Sequence, residues 1–209
     1  MSATFLNHSD RIRRIAKTQA GAHPAHKMDD NGNAKTEWFV LRDLKRANAK
    51  LRAYQWLSEM GFEVFTPLVT KLATRHGRRI RLTVPAISDM LFVHSTRELL
   101  DPVIAKTDTL QYRYLKGGAY QQPMVVRDDD MARFIAATQC SDGPIYYTPD
   151  EITPDMLGRK VMIIGGPMDG YEAILVKTRG TRKRRVFVEI PNLLAVSTEI
   201  LPEYIQPLP

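Results

Sequence analysis

The sequence has little that could build a metal site or a disulfide-linked fold. Cys140 is the only cysteine, and a single cysteine cannot form an intramolecular disulfide. The five histidines are scattered along the chain, and the two closest, His23 and His26, lie in the polar N-terminal stretch, so they do not form the ligand cluster that a zinc site needs. We therefore expect a protein that holds neither a metal nor a cofactor.

Long apolar runs are also missing. No run approaches the roughly 20 residues that a helix needs to cross a bilayer. The N-terminus does not follow the basic-then-apolar order of a secretory signal. We therefore expect a cytoplasmic protein that makes no membrane contact.

No residue pattern predicts an enzyme. The G-x-S-x-G motif that presents a nucleophilic serine is absent. The glycine-rich stretch from Gly165 to Gly170 lacks the lysine and the hydroxyl residue of a phosphate-binding P-loop, and this favours a β-turn. We expect a protein that binds partners and catalyses no reaction.

What the sequence does have is an excess of positive charge. Its 30 Lys and Arg residues outnumber its 23 Asp and Glu residues, so the formal net charge is +7. Lys and Arg side chains that contact phosphates release condensed counterions, which favours a nucleic acid as partner. Many basic soluble proteins bind no nucleic acid, so the charge alone leaves both interpretations open.

Length and composition predict two small globular domains. The chain has 209 residues, and 44% of them are hydrophobic. Residues 1–35 are polar without a sustained apolar period, which predicts a disordered extension. Residues 141–154 contain three prolines and few core candidates, which predicts a linker. The predicted domains are residues 36–140 and residues 155–209.

The first domain alternates between strand and helix patterns in the order β-α-β-β-(α)-β-α, which is typical of a ferredoxin-like α+β sandwich. Apolar residues at helical spacing mark the helices, and β-branched and aromatic runs mark the strands. The predicted strands are Glu37–Leu44, Phe62–Leu72, Leu82–His94 and Leu110–Leu115. The predicted helices are Asn48–Met60, Glu98–Lys106 and one that begins at Asp128 or Asp129 and ends at Gln139.

The second domain reads as short strands separated by glycine turns, which predicts a small antiparallel β-barrel. The predicted strands are Lys160–Ile164, Glu172–Lys177, Arg184–Ile190 and Ala195–Ile200.

Four sequence segments, taken in order, resemble the NusG-type transcription elongation factors. They are Trp38 to Val40 (W-x-V), Gly61 to Pro67 (GFEVFTP), Ser88 to His94 (SDMLFVH) and Gly158 to Ala173 (GRKVMIIGGPMDGYEA). The first domain resembles the N-terminal (NGN) domain of that family, and the second resembles its SH3-like KOW barrel. Within the family, the chain is most similar to the specialised RfaH and UpxY antiterminators.

The resemblance implies that the first domain binds the clamp helices of RNA polymerase and promotes processive transcription. Such paralogues serve a specific operon, commonly one for surface polysaccharides. The corresponding contact residues are Met90, Phe92 and Tyr112. Strand alternation points Leu91 to the opposite face, so we assign Leu91 to the core. The alternative is that Met90 and Phe92 also fill the core.

The resemblance also implies nucleic-acid and C-terminal contacts. Contact with the non-template DNA strand would use Lys45, Arg46, Lys50, Arg52, Arg75, Arg78 and Arg79. The KOW domain would bind a small-subunit ribosomal protein or Rho through Val188, Ile190, Asn192, Leu193 and Leu194. Its glycines and prolines favour a constitutive barrel over a helical hairpin. The rival hypothesis is a KOW-containing, RNA-binding ribosome or translation factor.

Overall fold

The structure is a computed structural model of the chain. It describes residues 35–45, 51–75, 77–115, 117, 120–141, 143–177 and 184–208. The predicted extension over residues 1–35 lies outside the described residues except for Lys35. The chain divides into two compact units, Met1–Val126 and Arg127–Pro209. The boundary therefore falls before the last helix of the predicted first domain.

The first unit is built around an antiparallel sheet with β1 at its centre. β5 pairs with one edge of β1, β2 pairs with β5, and both β6 and β7 pair with the other edge of β1. The strands of this unit are β1 (Glu37–Asp43), β2 (Glu63–Phe65), β3 (Leu68–Arg75), β4 (Arg78–Pro85), β5 (Leu91–Ser95), β6 (Leu110–Tyr112) and β7 (Val125–Val126).

Two helices, α1 (Ala53–Glu59) and α2 (Arg97–Ala105), supply side chains to the core of the first unit. Alternate residues of β1 and β5 meet these helical side chains, because successive strand residues point to opposite faces. The buried cluster contains Phe39, Leu41, Leu91, Val93, Ala53, Leu57, Leu100 and Val103. Leu91 thus occupies the core, as predicted.

β3 and β4 form a separate two-stranded hairpin. Gly77 turns the chain there with a positive φ of 72°, a conformation that glycine adopts without a Cβ clash. The two long predicted strands therefore each divide in two. The first breaks at Thr66 and Pro67, where the proline has no N–H for a sheet ladder. The second breaks over residues 86–90, which lie outside any strand.

The second unit combines one helix with a six-stranded antiparallel sheet of order β13-β9-β10-β11-β12-β8. The helix α3 (Asp128–Gln139) has the predicted bounds. The strands are β8 (Ile145–Tyr147), β9 (Leu157–Ile163), β10 (Glu172–Val176), β11 (Arg184–Ile190), β12 (Leu194–Ile200) and β13 (Ile205–Pro207).

α3 lies against β11 and β12 and buries Met131, Phe134 and Ala137. Residues 194–198 of β12 are all buried, so both faces of this strand are covered. A strand with one wet face would alternate between buried and exposed residues. The apolar face of α3, predicted for the first domain, is therefore used by the second unit.

The segment expected to be a linker, residues 141–154, is structured where the structure describes it. β8 pairs with β12, and a 3₁₀ turn follows at Pro149–Glu151. Arg185 donates to the carbonyl of Gly143 at 2.8 Å, and the hydroxyls of Ser141 and Thr198 lie 2.9 Å apart. Three prolines do not make this segment a linker, because its polar groups are paired with β11 and β12.

Candidate functional site

The start of α1 is organised by a buried ion pair. Arg52 Nε lies 3.2 Å from Asp43 Oδ2, and both side chains are buried. The same carboxylate accepts hydrogen bonds from the backbone amides of Ala53 (3.1 Å) and Lys45 (3.0 Å). Arg52 also donates to the carbonyl of Ser88. The pair therefore ties the end of β1, the start of α1 and the loop before β5 together.

Besides Arg52, three further side chains hold the loop of residues 86–90 in place. Asp89 accepts a hydrogen bond from Arg42 at 3.4 Å and forms an ion pair with Arg113 at 3.6 Å. The hydroxyl of Thr66 donates to the carbonyl of Met90 at 3.0 Å. This loop leads directly into the strand that the sequence predicted as the polymerase contact.

The predicted polymerase contacts are buried. Met90 is 3% exposed, Phe92 is 0% exposed and Tyr112 is 7% exposed. The ring of Phe92 lies 6.1 Å from that of Phe65, on the face of β5 opposite Leu91. The expectation of an apolar strip open to a partner is therefore wrong for this conformation. Both faces of β5 are covered, as the core-filling alternative requires.

Tyr112 joins β6 to α2 through a polar triad. Its hydroxyl donates to Asp101 Oδ1 at 2.6 Å, and Arg97 donates to both carboxylate oxygens of Asp101 at 3.0 and 3.1 Å. The Arg97 guanidinium lies 5.3 Å from the centre of the Tyr112 ring. Burial, reinforced by the bond to Asp101, raises the pKa of Tyr112 far above its ordinary value. These contacts give Tyr112 a role inside the unit.

The two described nucleic-acid contacts predicted near α1, Lys45 and Arg52, make contacts within the protein. Lys45 Nζ donates to the carbonyl of Leu51 at 3.2 Å and lies 5.7 Å from the centre of the Trp56 ring. Arg52 is committed to Asp43, which corrects its predicted role as a DNA contact. Arg46 and Lys50 lie outside the described residues.

Two of the residues predicted to contact DNA lie exposed on the β3–β4 hairpin. Arg78 and Arg79 are exposed, as are Lys71 and Arg81, whereas the side chain of Arg75 lies outside the described part. Residues directly opposite in an antiparallel pair share a face. Arg79 faces Thr74 and Arg81 faces Leu72, so these two cations share one side of the hairpin. Lys71 and Arg78 lie on the other side.

Most of the predicted C-terminal contacts are buried as well. Val188, Ile190, Leu193 and Leu194 are each at most 5% exposed, and Asn192 alone among the five predicted residues is exposed. Asn192 has a φ of 58° and turns the chain between β11 and β12. An Asn tolerates this left-handed backbone better than a branched residue. Of the five predicted residues, Asn192 in this exposed turn is therefore the one accessible to a partner.

A cavity of about 380 Å³ in the second unit was not predicted from the sequence. The first turns of α3 supply Asp130 to it, and β10 and β11 supply Ile174 and Phe187. Asp130 accepts from Arg127 at 2.7 Å and from Arg133 at 2.5 Å. The hydrogen bond from Arg127 is the main cause that lowers the pKa of Asp130. No sequence signal marked this cavity, because it brings Asp130 together with Ile174 and Phe187, which are more than 40 residues away in sequence.

Within the ranges that the structure describes, no three His, Cys, Asp or Glu side chains come together as metal ligands. None of the helices in the described ranges is long and apolar enough to cross a bilayer.

Residues 36–135 match the NusG family, described as transcription termination factor nusG. No curated protein matches the chain. The family match begins one residue before β1, covers every described strand of the first unit and ends within α3. Residues 36–135 are therefore similar to the NusG family, in agreement with the sequence resemblance.

Proposed function

We propose that this protein is a specialised transcription elongation and antitermination factor of the RfaH and UpxY type. It binds RNA polymerase through its NusG-type domain and promotes processive transcription of a specific operon, such as one for surface polysaccharide. It acts in the cytoplasm, without catalysis and without a cofactor. The observation that carries the proposal is the NusG family match over residues 36–135.

The polymerase contact proposed for β5 depends on a change of exposure. Met90 and Phe92 are buried together with Tyr112, so all three stabilise the first unit in the described conformation. Direct contact of Met90 and Phe92 with the clamp helices requires that the covered face of β5 becomes accessible. A polar replacement at Phe92 would damage the fold and is a poor probe of binding.

The proposed contact with the non-template DNA strand lies on the β3–β4 hairpin. Arg78 and Arg79 are exposed, and residues 68–85 contain no Asp or Glu. Exposed cations without a local carboxylate are available to phosphates, and their contact releases counterions. Of the seven residues predicted for DNA, these two carry the proposal.

We propose that residues 155–209 form a KOW domain that binds a small-subunit ribosomal protein or Rho. The antiparallel sheet and the glycine turn between β9 and β10 support this assignment. Gly165, Gly166 and Gly170 all have positive φ there, and Asp169 accepts a 2.5 Å hydrogen bond from the Gly165 amide. The exposed turn at Asn192 is the proposed partner contact.

The proposal is tested by binding of the full chain to purified core RNA polymerase, with a general NusG factor as competitor. We expect binding that an excess of the general factor displaces, because both would occupy one site. Absence of binding where the general factor binds would contradict the proposal. Salt-sensitive binding to duplex RNA in the same preparation would then favour the rival, an RNA-binding ribosome or translation factor.

A further inference from the structure

The cavity of the second unit has charged groups of both signs around an apolar wall, and the proposed function gives it no role. Its volume of about 380 Å³ is at the small end of the range for ligand pockets. All its lining residues belong to the second unit and lie in the described part of the chain. We infer that this cavity binds an apolar α-amino acid, a small zwitterion with an ammonium group, a carboxylate and an apolar side chain.

The apolar wall of the cavity is set by the pairing of β10 with β11. Ile174 stands directly opposite Phe187 in this antiparallel pair, so both side chains lie on one face. The ring of Phe187 packs edge-on against Tyr147, with 5.2 Å between the ring centres and 80° between the ring planes. This contact fixes the ring before a ligand arrives, which lowers the entropy cost of binding. Further apolar lining comes from Ile152, Leu157 and Pro191.

The first turns of α3 give the cavity an excess of positive charge. Arg127 and Arg133 both donate to Asp130, whose side chain is 9% exposed, so two guanidinium groups share one carboxylate. Their hydrogen bonds to described residues use Nε and Nη2. A guanidinium carries five N–H donors, so the Nη1 groups remain available to an external acceptor. The carboxylate of a ligand is such an acceptor, because charge-assisted hydrogen bonds to arginine are strong.

Two glutamates supply the opposite charge from the strands. Glu172 stands two residues before Ile174, and Glu189 stands two residues after Phe187. Because the strands run antiparallel and side chains alternate, both carboxylates lie beyond the Ile174–Phe187 pair at the same end and on the same face. Both residues are exposed and both line the cavity. Neighbouring like charges repel, so an ammonium group between them would be favoured.

The balance of charge selects a zwitterion over a simple ion. Lys160, opposite Ile174 on β9, adds a third cation to the lining. The lining also holds three carboxylates, those of Asp130, Glu172 and Glu189, so its formal charges cancel. An anion alone would leave the two glutamates without a counter-charge, and a cation alone would leave the arginine donors without an acceptor. One molecule with both charges and an apolar body meets all three parts of the cavity.

This site goes beyond the proposed function, because it needs neither RNA polymerase nor a nucleic acid. It also does not use Asn192, the residue proposed for the partner of the KOW domain. Failure of polymerase binding would leave the cavity proposal untouched, and failure of amino-acid binding would leave the polymerase proposal untouched.

The test titrates the full chain with L-phenylalanine and with L-leucine in a calorimeter at about pH 7, where both are zwitterions. Two truncated probes share the body of phenylalanine: 3-phenylpropionate lacks the ammonium group, and 2-phenylethylamine lacks the carboxylate. We expect at least one of the amino acids to bind, and each truncated probe to bind at least about tenfold more weakly than phenylalanine, because each loses charge-assisted hydrogen bonds. Absence of binding by both amino acids up to about 10 mM would overturn the inference.

The variants Glu172→Gln and Glu189→Gln, made singly, remove one negative charge each without a change of shape. Both side chains are exposed, so the fold should be unaffected. Each variant should bind the amino acid at least about fivefold more weakly and should bind 3-phenylpropionate no more weakly than the wild type. The matched control Glu203→Gln, exposed and outside the cavity, should change neither affinity.

Three further results would contradict the zwitterion site. One is unchanged amino-acid affinity in both cavity variants, and another is an equal loss in the cavity variants and the Glu203→Gln control. The third is binding of 3-phenylpropionate or 2-phenylethylamine as tight as that of phenylalanine, because the cavity would then be a site for a simple anion or cation.

Discussion

The sequence predicted DNA contact for two groups of cations in the first unit, but the structure places these groups in opposite surroundings. Arg52, at the start of α1, is buried against Asp43, whereas Arg78 and Arg79 on the β3–β4 hairpin are exposed. The difference lies in the available carboxylates. β1 ends in Asp43, whose side chain also accepts the first amide of α1, and residues 68–85 contain no acidic residue at all. A cation beside a strand-end carboxylate becomes part of the fold, and one in an acid-free hairpin remains available to an external anion.

The largest expected effect is on stability, in the matched pair Arg52→Ala and Arg79→Ala. Removing Arg52 leaves the Asp43 carboxylate buried without its counter-charge, which costs about 3–5 kcal/mol. Removing the exposed Arg79 should change the free energy of unfolding by less than about 0.5 kcal/mol. Urea denaturation of the two variants measures both values. Equal losses in the free energy of unfolding would contradict this prediction, because burial would then not distinguish the two arginines.

A second prediction concerns the Asp43 carboxylate itself. The double variant Asp43→Leu and Arg52→Met replaces a buried ion pair by apolar groups, so no uncompensated charge remains. It should be more stable than Arg52→Ala alone by about 2 kcal/mol or more, although the amides of Lys45 and Ala53 lose an acceptor. If the double variant is less stable than Arg52→Ala, the cost arises from those amides and not from the unpaired charge.

A second internal cation, Arg97, belongs to the triad with Asp101 and Tyr112. This triad predicts that the stability of the fold depends on pH. The pKa of Tyr112 is raised in the folded protein above the ordinary value of 10.0. The neutral phenol is therefore favoured by folding, and its stabilisation is present below about pH 10 and is lost as the pH rises further. Tyr112→Phe should cost about 1 kcal/mol at pH 8.

The control for that prediction is the slope of stability against pH. Tyr112→Phe should lose stability less steeply than the wild type between about pH 9.5 and pH 11, measured by thermal unfolding, because it has no phenol to ionise. Parallel curves would show that Tyr112 has the same pKa in the folded and the unfolded chain, contrary to the account.

The double variant Arg78→Ala and Arg79→Ala should have the smallest effect on stability. It should have a clear effect on nucleic-acid binding. The free energy of unfolding should stay within about 1 kcal/mol of the wild type, because both side chains are exposed. The affinity for a single-stranded oligomer should fall, and the dependence of log affinity on log salt should become shallower by about 0.7 per lost phosphate contact. An unchanged salt slope would remove the hairpin from the DNA contact.

Local pattern predicted much of the fold. The β-branched and aromatic residues of β1 and the helical spacing of Met131 and Phe134 are local features of the sequence, and the structure has a strand and a helix there. The two overlong strand predictions failed because Thr66, Pro67 and residues 86–90 interrupt apolar runs that look continuous.

The site was predicted less well because burial depends on partners distant in sequence. Alternation placed Phe92 correctly on the face opposite Leu91, but it could not show that this second face is covered. The Arg52–Asp43 pair and the contacts of α3 with β11 and β12 join separate elements. Among the described residues predicted to contact DNA, Arg78 and Arg79 of the hairpin are exposed and therefore accessible to an external partner.

The most direct test of the central claim is elongation by purified RNA polymerase through a defined pause site, in single-round transcription with and without the full chain. We predict that the protein shortens the pause and increases the yield of full-length transcript, and that an excess of a general NusG factor competes with it. No change in pausing or read-through at concentrations where the general factor acts would contradict the assignment as an elongation factor.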